Sequence, residues 1–459
     1  MSDGPLRTAT GVLPLIGQTP LVQVTRLDTG PCELWLKLEN LNPGGSIKDR
    51  IGRSMIDAAE ASGALKPGGH LVEATAGNTG LGLALVAALR GYRLTLVIPD
   101  KMSQEKVLHL RALGARCVIT RSDVVKGHPQ YYQDLARAIA AAEDGYYVNQ
   151  FENPANPAAH ERTTGPEIWS QLGGRMDAMV CGVGSGGTIT GLSRYFARVA
   201  PDVEMVLADP VGSVLAGYVA TGEIGEAGSW LVEGIGEDFV PAICDLSRVK
   251  RAYSVSDADA FTTVRELLRA EGILAGTSSG VLITAALRWC REQTSPRRCV
   301  TLVPDSGGKY LSKAYNDQWM DEQGLTGREP TGDLRDLIAR RAREGTVVGV
   351  GPGDALSVAY ARMRLHDVSQ LPVLEGARLV GIVDESDLLI AALDDAGAFQ
   401  RSVRDVMSSK VETLAPSASV RELLPLFERG MVGIVVDGDE LLGLITRVDL
   451  LNYLRRRVS

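Results

Sequence analysis

Between residues 42 and 308, five short stretches concentrate glycine and hydroxyl side chains at turns between strands and helices. They are 42–50, 73–82, 182–191, 271–280 and 304–308. Glycine-rich backbone is used where a chain must take a strained turn or pass close to other backbone or to a ligand. Glycine makes up 51 of 459 residues, about 11% against a usual level of about 7%. No Gly-x-y period runs through it, which excludes a collagen-like chain.

Around these turns, residues 1 to about 320 alternate short apolar runs with capped helical patterns. Leu71-Val72-Glu73-Ala74 reads as a strand, Leu81 to Arg90 as a helix ended by Gly91, and Leu94–Ile98 as the next strand. Ser103 caps a helix to Leu113, Gly114 stops it, and Cys117–Thr120 is again a strand. Strands alternating with capped helices mean βαβ units, hence an α/β fold with parallel sheet.

The rhythm changes after Trp319. Residues 321–335 are polar with Gly and Pro and read as a linker. Beyond it, Gly381–Leu389 matches Gly443–Leu451 at an offset of 62 residues, and Val350-Gly351-Pro352 matches Leu414-Ala415-Pro416 at 64. The expected divisions are 1–320, the linker, then repeated units at 336–396 and 397–459. Each copy has a strand–helix–strand–strand–helix pattern and is small for a core of its own.

Charge and cysteine usage narrow the function. A net charge of −8 argues against a nucleic-acid binder. No apolar run approaches the ~18 residues of a membrane span, and Met1-Ser2-Asp3-Gly4 lacks the features of a signal peptide. A cytoplasmic protein with no membrane partner is expected. The six cysteines are scattered, as are the five histidines, so reduced thiols and no metal site are expected.

The turns carry the chemistry. In Asn42–Arg50, Ser46-x-x-Asp49 resembles a capping box, with Ile47, Ile51, Met55 and Ala58/Ala59 as the apolar stripe behind it. Lys48 then lies in the first helical turn. It is either a solvated lysine tolerating the helix dipole or an amine with a depressed pKa, as a Schiff base needs. Glu73–Gly82 joins a strand to a helix N-terminus suited to an anion such as a carboxylate, although an ordinary capped turn has the same composition. Gly182–Gly191 follows the apolar run Met179-Val180-Cys181, and its glycines let backbone amides close on a phosphate, with Thr188 adding a hydroxyl.

That third turn also satisfies the dinucleotide fingerprint, Gly182-x-Gly184-x-x-Gly187, with Asp209 ending a later apolar run. An NAD-dependent dehydrogenase is therefore a competing reading, as is a non-enzymatic nucleotide sensor built on the tail. The dehydrogenase reading leaves the turns around Lys48 and Asn78 without a role.

Taken together and in this order, the segments resemble the fold-type II pyridoxal-phosphate enzymes, in the branch of cystathionine β-synthase and cysteine synthase. The resemblance covers nearly the whole chain. It implies a tryptophan synthase β-like catalytic region of two three-layer α/β subdomains. The repeated tail resembles a tandem pair of CBS modules (a Bateman module). Pro43–Arg50 matches the cofactor-lysine motif, which implies that Lys48 carries the Schiff base of pyridoxal 5'-phosphate. Thr75, Ala76, Gly77, Asn78 and Thr79 match the substrate-carboxylate loop, with Gln150 beside it and Asn78 also at the cofactor's ring oxygen. Gly184, Ser185, Gly186, Gly187 and Thr188 match the phosphate cradle, and Ser278 falls where the family places a hydroxyl on the pyridine nitrogen.

The resemblance implies β-replacement: serine or O-acetylserine joined to homocysteine to give cystathionine, with hydrogen sulfide released when cysteine is the donor. O-acetylserine sulfhydrylase, a cysteine synthase, is the alternative. Ala76 stands where the family has serine, and Phe151 where some relatives have tyrosine. Only about 15 residues precede Ile16-Gly17-Gln18-Thr19-Pro20, without the haem-binding extension of the animal enzymes, so no haem is expected. In the tail, Gln370, Thr446 and Asp449 match positions around an adenosyl ligand, whereas Asp384 replaces the threonine of the first copy. A homodimer or higher homo-oligomer is expected for such a chain.

Overall fold

The computed structural model describes residues 9–458, apart from 76, 101–103, 125–126, 328–330, 339, 342–346 and 396. The chain divides into two compact units, Met1–Tyr315 and Asn316–Ser459. The first holds the strands β1 (Leu21–Gln23), β2 (Glu33–Lys37), β3 (His70–Ala74), β4 (Arg93–Pro99) and β5 (Arg116–Thr120). It continues with β6 (Tyr146–Tyr147), β7 (Ala178–Cys181), β8 (Glu204–Pro210), β9 (Val249–Val255) and β10 (Arg298–Leu302). They form a six-stranded sheet in the order β1-β2-β10-β7-β8-β9 and a four-stranded sheet in the order β5-β4-β3-β6. All pairings are parallel except β1 with β2.

The alternation in the sequence becomes this parallel architecture. The helix expected from Leu81 starts earlier, at Asn78, and runs to Arg90, where Gly91 adopts φ +74° and closes it. Gly114 takes φ +86° after the helix Gln104–Ala112; Ser103, its expected cap, lies outside the described residues. β3 is buried along its whole length, as a strand covered on both faces must be.

Two helices set the site. Lys48–Ala61 buries Ile51, Met55, Ile56 and Ala59, while Ala58 faces outward. These side chains join Leu71, Leu81, Leu83, Leu94, Leu96 and Ile98 in one core. The helices touch backbone to backbone. A Cβ on Gly52 would lie 2.7 Å from the carbonyl carbon of Gly82, and one on Gly82 would lie 2.6 Å from the Lys48 carbonyl oxygen. Only glycine permits that approach.

The second unit contains β11 (Arg340–Arg341), β12 (Gln370–Glu375), β13 (Arg378–Asp384), β14 (Thr413–Leu414), β15 (Gly433–Asp437) and β16 (Glu440–Ile445). The order is β12-β13-β16-β15-β14, with β11 on β16. The repeat is visible in detail. Both hairpins shift register at matching places, between Val373 and Leu374 and between Val435 and Val436. The copies differ ahead of the hairpins: Leu356–His366 is a full helix, whereas the second copy has a 3-10 turn, Val420–Leu423, and a short helix, Leu424–Glu428, begun by Pro425. Proline lacks the N–H that a longer helix would need there. Leu334, in the segment read as a linker, is fully buried with Leu337, Ile338, Leu423 and Phe427. Among the described residues no helix is long and apolar enough to cross a membrane.

Substituting Gly82→Ala forces the two helices apart. We expect a loss of about 1–3 kcal/mol in denaturant unfolding, the usual cost of overpacking, together with displacement of the turn that carries Lys48.

Candidate active site

Each expected turn lies at the end of a strand or the start of a helix. The capping box at Ser46 and Asp49 does not form. Ser46 Oγ accepts from Lys48 N at 3.2 Å, and the Asp49 carboxylate reaches back to Gly44 N instead. The reason is the tight 44–45 turn, with Gly45 at φ +76°, which brings Gly44 N within reach of Asp49. Lys48 therefore begins the helix, and its amine has no hydrogen bond or ion pair among the described residues. Burial pulls its pKa down, while Asp305 and Glu237 pull it up.

The loop after β3 holds the next group. Thr75 Oγ1 accepts from Gly77 N at 3.3 Å, and Thr79 Oγ1 donates to Gln150 Oε1 at 2.7 Å. Gln150 N donates to Glu73 Oε2 at 3.1 Å, beneath the loop. Desolvation drives the fully buried Glu73 carboxyl up to about 8. Ala76 lies outside the described residues. Asn78 starts the helix and is bonded to Asp305 and Lys309.

The third turn follows β7 and leads into the helix Gly187–Val199. Its glycines are required by space. A Cβ on Gly184 would meet Gly234 O at 2.7 Å, and one on Gly187 would overlap Asn156 Oδ1 at 1.8 Å. Gly186 takes φ +85°, a left-handed conformation. Asn156 Nδ2 donates to Gln150 O at 2.8 Å and Ser185 Oγ at 2.9 Å, tying the carboxylate loop to this turn. Thr188 Oγ1 is bonded to His160 Nε2 at 3.2 Å. His160 sits in a π-helical turn, His160–Thr164, and its Nδ1 bonds Thr164 Oγ1 at 3.0 Å. Burial first, then Lys48 and Arg50, holds its pKa well below the usual value, so the ring is neutral.

Ser278 lies in the first turn of the helix Thr277–Arg291. It is buried, and its hydroxyl has no partner among the described residues. Asp305 ends the circuit after β10. Its backbone bridges Ser46, and Gly276 N donates to its carbonyl at 2.9 Å. The turns carrying Lys48, Asn78, Ser278 and Asp305 are thus brought together, while Asn156 links Gln150 to Ser185 and His160 bonds Thr188 separately.

The dehydrogenase reading fails on Asp209. That carboxylate is fully buried and accepts from Ala216 N at 2.8 Å, so it anchors the turn after β8 and is not presented to a ribose. Among the described residues no group of three His, Cys, Asp or Glu is placed to hold a metal ion.

The family model for the pyridoxal-phosphate dependent enzymes matches residues 12–305. The chain belongs to this family. The model for the CBS domain matches residues 340–394 and 403–456. Cystathionine beta-synthase of Dictyostelium discoideum is 34% identical over 97% of this chain and 92% of its own length. Cysteine synthase A of Escherichia coli (strain K12) is 43% identical over 68% of this chain and 96% of its own. The O-acetylserine dependent cystathionine beta-synthase from Helicobacter pylori superposes with a TM-score of 0.61 at 35% identity, covering 67% of this chain and 99% of that one.

The geometry fits this pyridoxal-phosphate family. An unpartnered amine, an unpartnered buried hydroxyl and a glycine cradle at a helix N-terminus are the donor set the cofactor requires. Two contributors were not singled out in the sequence: His160 behind Thr188 and Lys309 beside Asn78. Lys309 only adjoins the glycine pair Gly307-Gly308, whereas Asp305 lies within the 304–308 turn and Asn156 in the Asn156-Pro157 pair that follows Gln150.

Glu237 adds a titratable group. Its backbone is clamped by Ser213, whose Oγ accepts from Glu237 N and donates to Glu237 O, both at 3.1 Å. Burial chiefly, then Asp238, raises its carboxyl to about 8, and Lys48 opposes the rise. Ionisation above that pH places a negative charge toward Lys48 and favours its ammonium over the free amine. We expect Glu237→Gln apo-protein to develop visible absorbance with added pyridoxal phosphate faster than wild type above about pH 8, and at the same rate below about pH 7; stopped-flow absorbance checks this.

Proposed function

We propose that the chain is a cystathionine β-synthase, making cystathionine from serine or O-acetylserine and homocysteine and releasing hydrogen sulfide when cysteine is the donor. The observation that carries the reading is the half-buried Lys48 amine, unpartnered among the described residues, which feels the charge of Asp305, the residue bonded to Asn78. The CBS pair supports it as well, because the cysteine synthase relative matches only 68% of this chain.

Pyridoxal phosphate, when bound, would supply an electron sink for the pair left on Cα as its proton departs, until that pair forms the Cα–Cβ double bond and the β-substituent leaves with its own bonding pair. Lys48 would hold the cofactor and, once displaced, its Nζ takes the Cα proton. Gly184, Ser185, Gly186, Gly187 and Thr188 would hold the phosphate with backbone N–H groups and two hydroxyls. His160, being neutral, orients the Thr188 hydroxyl without bringing a charge of its own. The Ser278 hydroxyl would meet the pyridine nitrogen. Thr75, Ala76, Gly77, Asn78 and Thr79 with Gln150 would orient the substrate carboxylate, and the Thr79–Gln150 bond makes them one unit. Cysteine synthase is the second reading, favoured by the 43% identity over the catalytic unit.

Lys48→Ala is expected to lose the visible absorbance band and to lower turnover by about 10²–10⁴-fold, the usual share of a positioned acid–base group. A product assay offering serine or O-acetylserine with homocysteine or sulfide tests the assignment. Cystathionine formation supports it. Cysteine from sulfide alone overturns it in favour of the alternative.

In the tail, Thr446 N and Oγ1 both donate to Asp449 Oδ2 at 2.6 Å. The first copy closes the same turn with two carboxylates, Asp384 and Asp387. Gln370 pairs through its backbone with Asp384, and no hydrogen bond joins it to Thr446 or Asp449. We read the second copy as the adenosyl site, since its threonine hydroxyl and the second Asp449 oxygen suit a ribose. Calorimetry with S-adenosylmethionine and AMP is expected to show heat with at least one of them, lost in Asp449→Ala. No heat with either removes the ligand reading.

A further inference from the structure

Asn78 is held from two sides by ionisable groups. Its Oδ1 accepts from Lys309 Nζ at 2.6 Å, and its Nδ2 donates to Asp305 Oδ2 at 2.8 Å. Lys309 Nζ also reaches the carbonyls of Gly44 and Gly45, each at 3.5 Å. It therefore spans the turn before Lys48 and the Asn78 loop. Asp305 is 1% exposed, accepts from Tyr310 Oη at 2.8 Å, and leaves Oδ1 without a partner. The backbone places these groups firmly: Ile47 N donates to Pro304 O at 2.8 Å, and Ser46 bridges Asp305.

A side-chain amide turns over freely unless its neighbours distinguish its two ends. A lysine ammonium carries donors only, so the atom facing Lys309 must be the amide oxygen. Asp305 distinguishes the ends less strictly. Burial raises its carboxyl, and a protonated carboxyl both donates and accepts. The orientation of Asn78 is thus decided by Lys309. Its amine is itself desolvated, with Asp305 and Asp49 supporting the charge and Lys106 opposing it.

We propose that Lys309 is a positioning residue: by holding Asn78 Oδ1 it presents the Asn78 amide nitrogen to the ring oxygen of bound pyridoxal phosphate. The inference rests on the assignment of Lys48 as the cofactor lysine. A purely structural lysine would only staple the 44–45 turn, and the two roles differ in how they couple to Asn78.

The test compares Lys309→Met, Lys309→Arg, Asn78→Ala and the Lys309→Met/Asn78→Ala pair. It measures cofactor dissociation and the visible share of absorbance in the loaded protein. Lys309→Met is expected to weaken cofactor binding about tenfold, the scale of one charged hydrogen bond, and to lower the visible share. Lys309→Arg, which keeps its donors, restores most of both. The double variant is no worse than Asn78→Ala, because the lysine acts through the amide. Wild-type affinity and spectrum in Lys309→Met overturn the proposal. So do losses that add in the double variant, which is also how a general loss of fold would show. A wild-type protein without a Lys48-dependent band defeats the functional reading itself; a normal band with an unchanged Lys309→Met defeats only the role of Lys309.

Discussion

The contact between Gly52 and Gly82 governs the catalytic unit. Two helices meet there with no side chain between them, and the closest atom to Gly82 is the carbonyl of Lys48 itself. The spacing of Lys48 from the Asn78 loop is therefore set by backbone van der Waals radii. Nothing on that line has rotamers to adjust, which suits a site whose reacting groups need placement to a fraction of an ångström. The apolar core of Ile51, Met55, Leu81 and Leu83 supplies the pressure that keeps the helices in contact.

Around that fixed spacing the charges are distributed unevenly. Glu73, Glu237 and Asp305 are buried or nearly so, and desolvation raises all three. Arg50 instead sits in a tight cluster with Glu39 and Glu167, which keeps Glu167 down at about 2. The result is a paired charge cluster at one end of the Lys48-bearing segment and poorly paired acids toward the site. Paired charges of this kind fix geometry, whereas acids with displaced pKa values titrate where chemistry is done.

How much of this was legible depended on distance along the chain. β3, β4 and β5 and the closing glycines Gly91 and Gly114 followed from local pattern, because strand burial and helix stops are written within a dozen residues. The helix start at Asn78 was missed by three residues, since Asn-Thr-Gly has little helix propensity and is held in place by the loop it leaves. The Ser46–Asp49 cap was misread because Gly44 competes for the same carboxylate. Asn78 with Lys309 has no local trace: the partners are 231 residues apart and belong to no period. Asp209 shows the opposite error, a motif satisfied in letters whose carboxylate the fold spends on Ala216 N.

The order of strands in the larger sheet has its own consequence. β10, the last strand of the catalytic unit, lies between β2 and β7, so the sheet is closed from the middle by residues near 300. Until they emerge from the ribosome, β2 has only the three-residue β1 beside it, and the mostly buried Leu34–Lys37 edge stands open. An open apolar edge is a template for pairing with other chains. The unit thus carries a long interval during synthesis in which most of the chain exists but its central seam does not.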